Sequence, residues 1–146
     1  IKFILKNSKL KMREYNLPII PQSYYVELNE ASYAIREIVK ELDKKPITIS
    51  VLNTRVDTAR DLVLKLYSKT CEIIKYASLA ETILVYSNRY RTSFEGLNNK
   101  LNLAEKLFLK GEYKKSLDLT ANLIDKIEPG IYDRLLNDYN LVRGDN

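Results

Sequence analysis

The sequence predicts an all-α protein: an elongated antiparallel helical bundle with a long central helix and a C-terminal helical hairpin. Three observations carry that prediction. Only 4 Gly and 4 Pro occur in 146 residues, while 29% of the residues are charged, a balance that favours long helices over a mixed fold. One apolar seam keeps heptad spacing from Leu52 to Leu84 with no Gly or Pro inside it. The Pro and Gly residues fall where the seams stop.

The first segment spans Ile1 to about Tyr15. Ile1, Leu5, Ser8, Met12 and Tyr15 form one helical stripe on an otherwise polar and basic segment. Asn16-Leu17-Pro18-Ile19-Ile20-Pro21 breaks it, because proline ends a helix but allows a new one to begin after it. The second segment, about Gln22 to Asp43, repeats Tyr24, Leu28, Ala31, Ile35, Ile38 and Leu42 as an a/d seam. Lys44-Lys45-Pro46-Ile47 stops it, with cations where the helix dipole favours them.

The third segment, about Ser50 to Arg91, is the longest, with Ser50 expected as its N-cap. Its seam is Leu52, Val56, Ala59, Val63, Leu66, Thr70, Ile73, Ala77, Ala80 and Leu84. At ~1.5 Å rise per residue such a helix reaches on the order of 60 Å. A stripe that long needs several partners, and a second chain is one candidate for part of it.

Ser93 is expected to cap the fourth segment, which carries Leu97, Leu101, Ala104 and Phe108. Gly111 stands where a left-handed glycine closes a helix. The fifth segment, Glu112 to Ile127, turns Tyr113, Leu117, Thr120, Ile124 and Ile127 inward, and Pro129-Gly130 ends it. A short sixth helix, about Ile131 to Val142, leads into a polar tail. Short connections predict antiparallel neighbours. The expected division is a helical repeat over 1–92, its first helix truncated, and a hairpin with a terminal helix over 93–146 packed on the long helix.

Catalysis finds little support. The chain has no histidine, which removes the commonest general base and zinc ligand. Its single cysteine, Cys71, reads as a small, partly buried helix residue, and one thiol builds no metal site. Glycine-rich phosphate loops and nucleophile elbows are absent from the sequence. The expectation is a non-enzyme with no catalytic residues, cofactor or metal. A net charge of +5, with 24 basic and 19 acidic residues interspersed, gives no concentrated patch for nucleic acid or anionic lipid. The run Lys9-Leu10-Lys11-Met12-Arg13 reads as an exposed helix face. No apolar run is long enough to span a bilayer, so direct membrane contact is not expected. The lone cysteine fits a reducing compartment. A chain that starts at Ile1, with its one methionine at Met12, reads as an internal piece of a longer protein.

One block stands apart. Tyr86-Ser87-Asn88-Arg89-Tyr90-Arg91 interleaves aromatics with arginines at the end of the long segment. Tyr and Arg are enriched at binding hot spots. Composition alone favours the plainer account, in which Tyr86 and Tyr90 pack at i,i+4 and the arginines cap a helix C-terminus. Ala104-Glu105 to Gly111-Glu112-Tyr113 is a hairpin signature similar to a tetratricopeptide unit. It occurs once, without the 34-residue recurrence of such arrays.

These blocks resemble the septation ring formation regulator EzrA family. The resemblance rests on Ser78-Leu79-Ala80-Glu81-Thr82-Ile83-Leu84-Val85-Tyr86-Ser87-Asn88-Arg89-Tyr90-Arg91, on Ala104-Glu105 to Gly111-Glu112-Tyr113, and on Ile127-Glu128-Pro129-Gly130. The turns at Arg13-Glu14-Tyr15-Asn16-Leu17-Pro18 and Lys45-Pro46-Ile47 fit it too. The resemblance implies spectrin-like three-helix repeats on the cytoplasmic side of the cell membrane. It also implies a parent protein with one N-terminal transmembrane helix, located at the division septum. The implied role is to bind the tubulin-like protein FtsZ and other division proteins, and to restrain ring assembly. It further implies a localisation patch matching Tyr86, Asn88, Arg89, Tyr90 and Arg91, which reverses the plainer account of that block. The competing expectation is a spacer or homodimerisation rod, with partner binding elsewhere in the parent chain.

Overall fold

The computed structural model describes residues 1–44 and 46–142. Among them the fold is an all-α helical bundle without strands. The helices are α1 (Lys2–Tyr15), α2 (Gln22–Leu42), α3 (Ile49–Ser87), α4 (Leu97–Leu109), α5 (Tyr113–Ile127) and α6 (Ile131–Val142), with a 3-10 turn at Asn88–Tyr90. The chain divides within α3 into two compact units, Ile1–Glu72 and Ile73–Asn146. Lys45 of the predicted basic stop and the polar tail lie outside the described residues.

In the N-terminal unit, α1 ends at Asn16 in the left-handed conformation (φ 55°, ψ 56°). Asparagine tolerates that region better than other side-chain-bearing residues. Its predicted stripe buries Ser8 and Met12. Lys11 lies 5.8 Å from the centroid of the Tyr67 ring on α3, and Glu27 of α2 faces Lys65 of α3 at 3.9 Å. The seam of α2 buries Tyr24 and Ala31 and half-buries Leu28, Ile35 and Ile38. Its last member departs from expectation: Leu42 is 50% exposed and Glu41 is buried instead. Ala34, one heptad before Glu41 on the same row, is buried as well, so the inward face of α2 includes the row that ends at Glu41. Lys44 at 3.0 Å makes that buried carboxylate tolerable.

Helix α3 runs for 39 residues. Eight consecutive members of its predicted seam, from Ala59 to Leu84, are buried, and Leu52 and Val56 at the N-terminal end are half-buried. Fully burying a Leu, Ile or Val contributes about 1.5–3 kcal/mol each before conformational entropy is subtracted. The polar member, Thr70, donates to the Leu66 carbonyl at 2.8 Å, so its hydroxyl is satisfied inside the core. Ser50 is not the cap. The helix begins at Ile49, and the Thr48 carbonyl already accepts from Leu52 at 3.0 Å. The α-helix also stops at Ser87 rather than Arg91. Ser87 Oγ donates to the Ile83 carbonyl at 2.6 Å, and bonding tightens to i→i−3 from Arg91 to Asn88.

Two apolar clusters hold the C-terminal unit. Leu79, Ala80, Ile83 and Leu117 pack with Tyr132, Leu135 and Leu136 of α6. Leu84, Leu97, Leu101 and Ala104 pack with Tyr90, Leu123 and Ile127. The predicted hairpin forms from α4 and α5. Gly111 (φ 86°) donates to Phe108 and Glu112 donates to Leu107, each at 3.0 Å, the two bonds of a Schellman turn. Ala104 and Ser116 are both fully buried, and Ser116 Oγ donates to the Ala104 carbonyl at 2.7 Å, so the two backbones approach closely. Phe108 and Tyr113 meet edge to face at 5.1 Å. Ser93 does not cap α4, which starts four residues later at Leu97 behind Gly96 (φ 78°). The backbone N–H of Ser93 donates to Tyr90 instead, in the turn that continues from α3.

Candidate protein-interaction site

The block from Tyr86 to Arg91 leaves the last turn of α3 through the 3-10 turn. Because i and i+4 share a helix face, Tyr86 and Tyr90 stand together, 6.5 Å between ring centroids. Tyr90 also meets Phe94 edge to face at 6.0 Å. Both tyrosine hydroxyls donate to one carboxylate oxygen, Oε2 of Glu128, from the end of α5; the Tyr90 bond is 2.9 Å. Arg89 is exposed and lies over the Tyr86 ring, its guanidinium carbon 3.8 Å from the centroid. Arg134 of α6 reaches the same ring at 6.0 Å.

Arg91 has a different role. Its side chain is only 20% exposed. Nε donates to Asn88 Oδ1 at 2.8 Å, and Nη1 donates to Asn98 at 2.7 Å and Asn102 at 2.9 Å. Nη2 pairs with Glu105. The guanidinium therefore ties the turn to one face of α4, and Asn88 spends its side-chain oxygen on the same tie. The five predicted site residues are contiguous in space but unequal. Tyr86, Tyr90, Asn88 and Arg91 are occupied with internal partners, and Arg89 is the cation presented outward.

Sequence reading missed the partners: Glu128 and Arg134 on one side, Asn98, Asn102 and Glu105 on the other. They lie 7 to 48 positions from the residues they touch, beyond any local periodicity. The one available signal was a carboxylate directly before Pro129-Gly130, read only as a helix stop.

Hydrogen bonds from Tyr86 and then Tyr90 hold the Glu128 carboxyl below its usual range. The same bond, followed by desolvation, raises the Tyr90 hydroxyl above its own. A lowered carboxyl pKa adds stability above the unfolded value, about 4.3, and that stability is lost as pH falls through the folded value. A raised tyrosine pKa adds stability below about 10, lost as pH rises through the folded value. The expected urea midpoint of the C-terminal unit is therefore flat from about pH 5 to 9 as far as this contact decides it, and falls beyond both ends. Glu128→Gln should flatten the acid limb. An acid limb identical in the variant would count against the contact.

Elsewhere, a groove of about 220 Å³ lies between α2 and α3, bordered by Glu30, Tyr33, Glu37, Arg55 and Leu62. Cys71 is half-buried. Among the described residues, no three metal-ligating side chains gather at one place, and no helix is long and apolar enough to cross a membrane.

The family model for the septation ring formation regulator EzrA matches residues 1–139. A septation ring formation regulator EzrA of Geobacillus sp. (strain WCH70) is 31% identical over 124 residues, covering 85% of this chain and 22% of that protein. One from Streptococcus pneumoniae (strain Hungary19A-6) is 32% identical over 140 residues, covering 95% of this chain and 24% of the relative. The chain thus spans roughly a quarter of the length of the curated relatives it matches. No solved structure matches. With nearly its whole length inside the family model, and its aromatic-arginine turn and Gly111 hairpin formed as described, this chain belongs to the EzrA family of septation ring formation regulators.

Proposed function

We infer that this chain is a segment of a bacterial cell-division regulator that contacts FtsZ, restrains division-ring assembly, and does so as a non-enzymatic scaffold. The parent protein works on the cytoplasmic side of the membrane at the septum, held by an N-terminal transmembrane helix, with helices grouped in spectrin-like repeats. The contact runs through Tyr86, Asn88, Arg89, Tyr90 and Arg91. One observation carries this assignment: a solvent-exposed Arg89 laid on the Tyr86 ring, which is itself fixed from below. Arginine and tyrosine held rigid lose little side-chain entropy on binding, the property that makes them hot spots.

Arg89→Ala in the full-length protein should abolish midcell accumulation and weaken co-sedimentation with FtsZ polymers. Stability should change by less than about 1 kcal/mol, since a surface cation–π contact and a solvent-screened attraction to the Glu128 carboxylate are removed. Wild-type localisation and wild-type co-sedimentation of that variant would sink the assignment.

A second reading, a spacer or homodimerisation rod, is favoured by exposed apolar side chains on the N-terminal helices. Val26 and Tyr33 of α2 and Ile49 and Leu64 of α3 are 45–63% exposed. Sedimentation equilibrium separates the two: a monomer at high concentration removes the dimer.

A further inference from the structure

The geometry points to Glu128 as the positioning residue of the interaction patch, a role that rests on the function proposed above. Glu128 lies 38 to 42 positions from the tyrosines it binds, in the turn between α5 and α6. A single oxygen of its carboxylate accepts both the Tyr86 and Tyr90 hydroxyls. Pinning both hydroxyl oxygens at one point fixes the direction of each side chain at χ1, and because a phenol O–H donates in the plane of its ring, the bond also favours one ring plane. The Tyr86 ring so fixed is the surface on which Arg89 lies.

The charge arrangement follows the same logic. Arg89 and Arg134 both act favourably on the Glu128 carboxylate, and both guanidiniums approach the Tyr86 ring. Glu128 thus offsets two cations that would otherwise repel each other across one aromatic ring. Its second tie is local: the Glu128 backbone N–H donates to the Ile124 carbonyl at 2.7 Å, and Ile124 is fully buried. The carboxylate therefore stands on a fixed base. The patch is consequently discontinuous: its outward cation comes from the turn after α3, and its orientation is set from the end of α5. Glu128 touches no partner in this scheme and acts through the tyrosines.

The test uses full-length protein, with FtsZ polymers as the probe and 13C-tyrosine labelling for ring ionisation. Glu128→Ala should weaken co-sedimentation about tenfold, less than the roughly thirtyfold loss at a hot spot itself, because Glu128 acts only through the tyrosines. Glu128→Gln keeps a carbonyl oxygen for the tyrosines and should retain most of the affinity. In a Tyr86→Phe, Tyr90→Phe background, Glu128→Ala should cause no further loss, because the hydroxyls it serves are gone. Tyr90 should ionise at lower pH in Glu128→Ala than in wild type. The positioning role is overturned if Glu128→Ala binds like wild type while Arg89→Ala does not. It is equally overturned if Glu128→Ala loses the same factor with and without the tyrosine hydroxyls. Should Arg89→Ala also bind like wild type, the FtsZ reading fails by itself. The Tyr90 titration then reports on the Glu128 contact alone: a downward shift keeps the hold of Glu128 on the tyrosines and leaves the patch without this partner, and an unchanged one removes that hold too.

Discussion

Ile83→Ala should destabilise the C-terminal unit by about 2–5 kcal/mol, the range measured for large-to-small changes at filled core sites. Ile83 is 1% exposed and sits among Leu79, Ala80 and Leu117, with Tyr132, Leu135 and Leu136 packed around them. Removing its side-chain carbons opens a void that backbones joined in a bundle fill only in part, so the lost dispersion contacts add to the lost transfer energy. Val85 is the control. It lies two positions along the same helix but is 64% exposed, so Val85→Ala should stay within about 0.5 kcal/mol. Urea unfolding followed by tyrosine fluorescence measures both. Equal effects from the two substitutions would mean that α3 is rotated from the orientation described.

The second large effect concerns the backbone. Ser68 is exposed near the middle of α3, so Ser68→Pro perturbs little except the helix itself. Proline removes the hydrogen bond to the Leu64 carbonyl and drives its ring against that carbonyl, at a cost of about 3 kcal/mol or more. Ser68→Ala isolates the side-chain part and should be nearly neutral or slightly favourable, since alanine is the better helix former. Thermal melting by far-ultraviolet circular dichroism compares the two. A proline variant that melts like wild type would mean that the helix is already interrupted at that position.

The seam of α3 was legible because a helix packed along its length imposes one periodicity, and no Gly or Pro interferes with it. The Gly111 hairpin was legible for a related reason, since left-handed backbone, a small Ala104 and an aromatic at Tyr113 leave marks in adjacent residues. The errors share a cause as well. Ser50 and Ser93 are good capping residues by type, yet helix starts were decided by the turn before each helix, which at α4 includes Gly96. Leu42 continues the α2 heptad, but burial follows the adjoining row of Ala34 and Glu41, and no residue of α2 alone reveals that. The interaction patch was legible as a composition and not as a structure. Its tyrosines and arginines could be found at 86–91, while the groups that fix them are distant in the chain and carry no local signature.

The clamp around Arg91 has a consequence for how ionic strength acts here. Three of its four acceptors are asparagine amide oxygens and one is a carboxylate. Mobile ions weaken attraction between net charges, as at the exposed Lys114–Asp118 pair, but compete little with a guanidinium held by neutral dipoles. Concentrated salt should thus leave the platform intact, so that any fall in affinity for a partner in brine reflects the encounter between two charged surfaces.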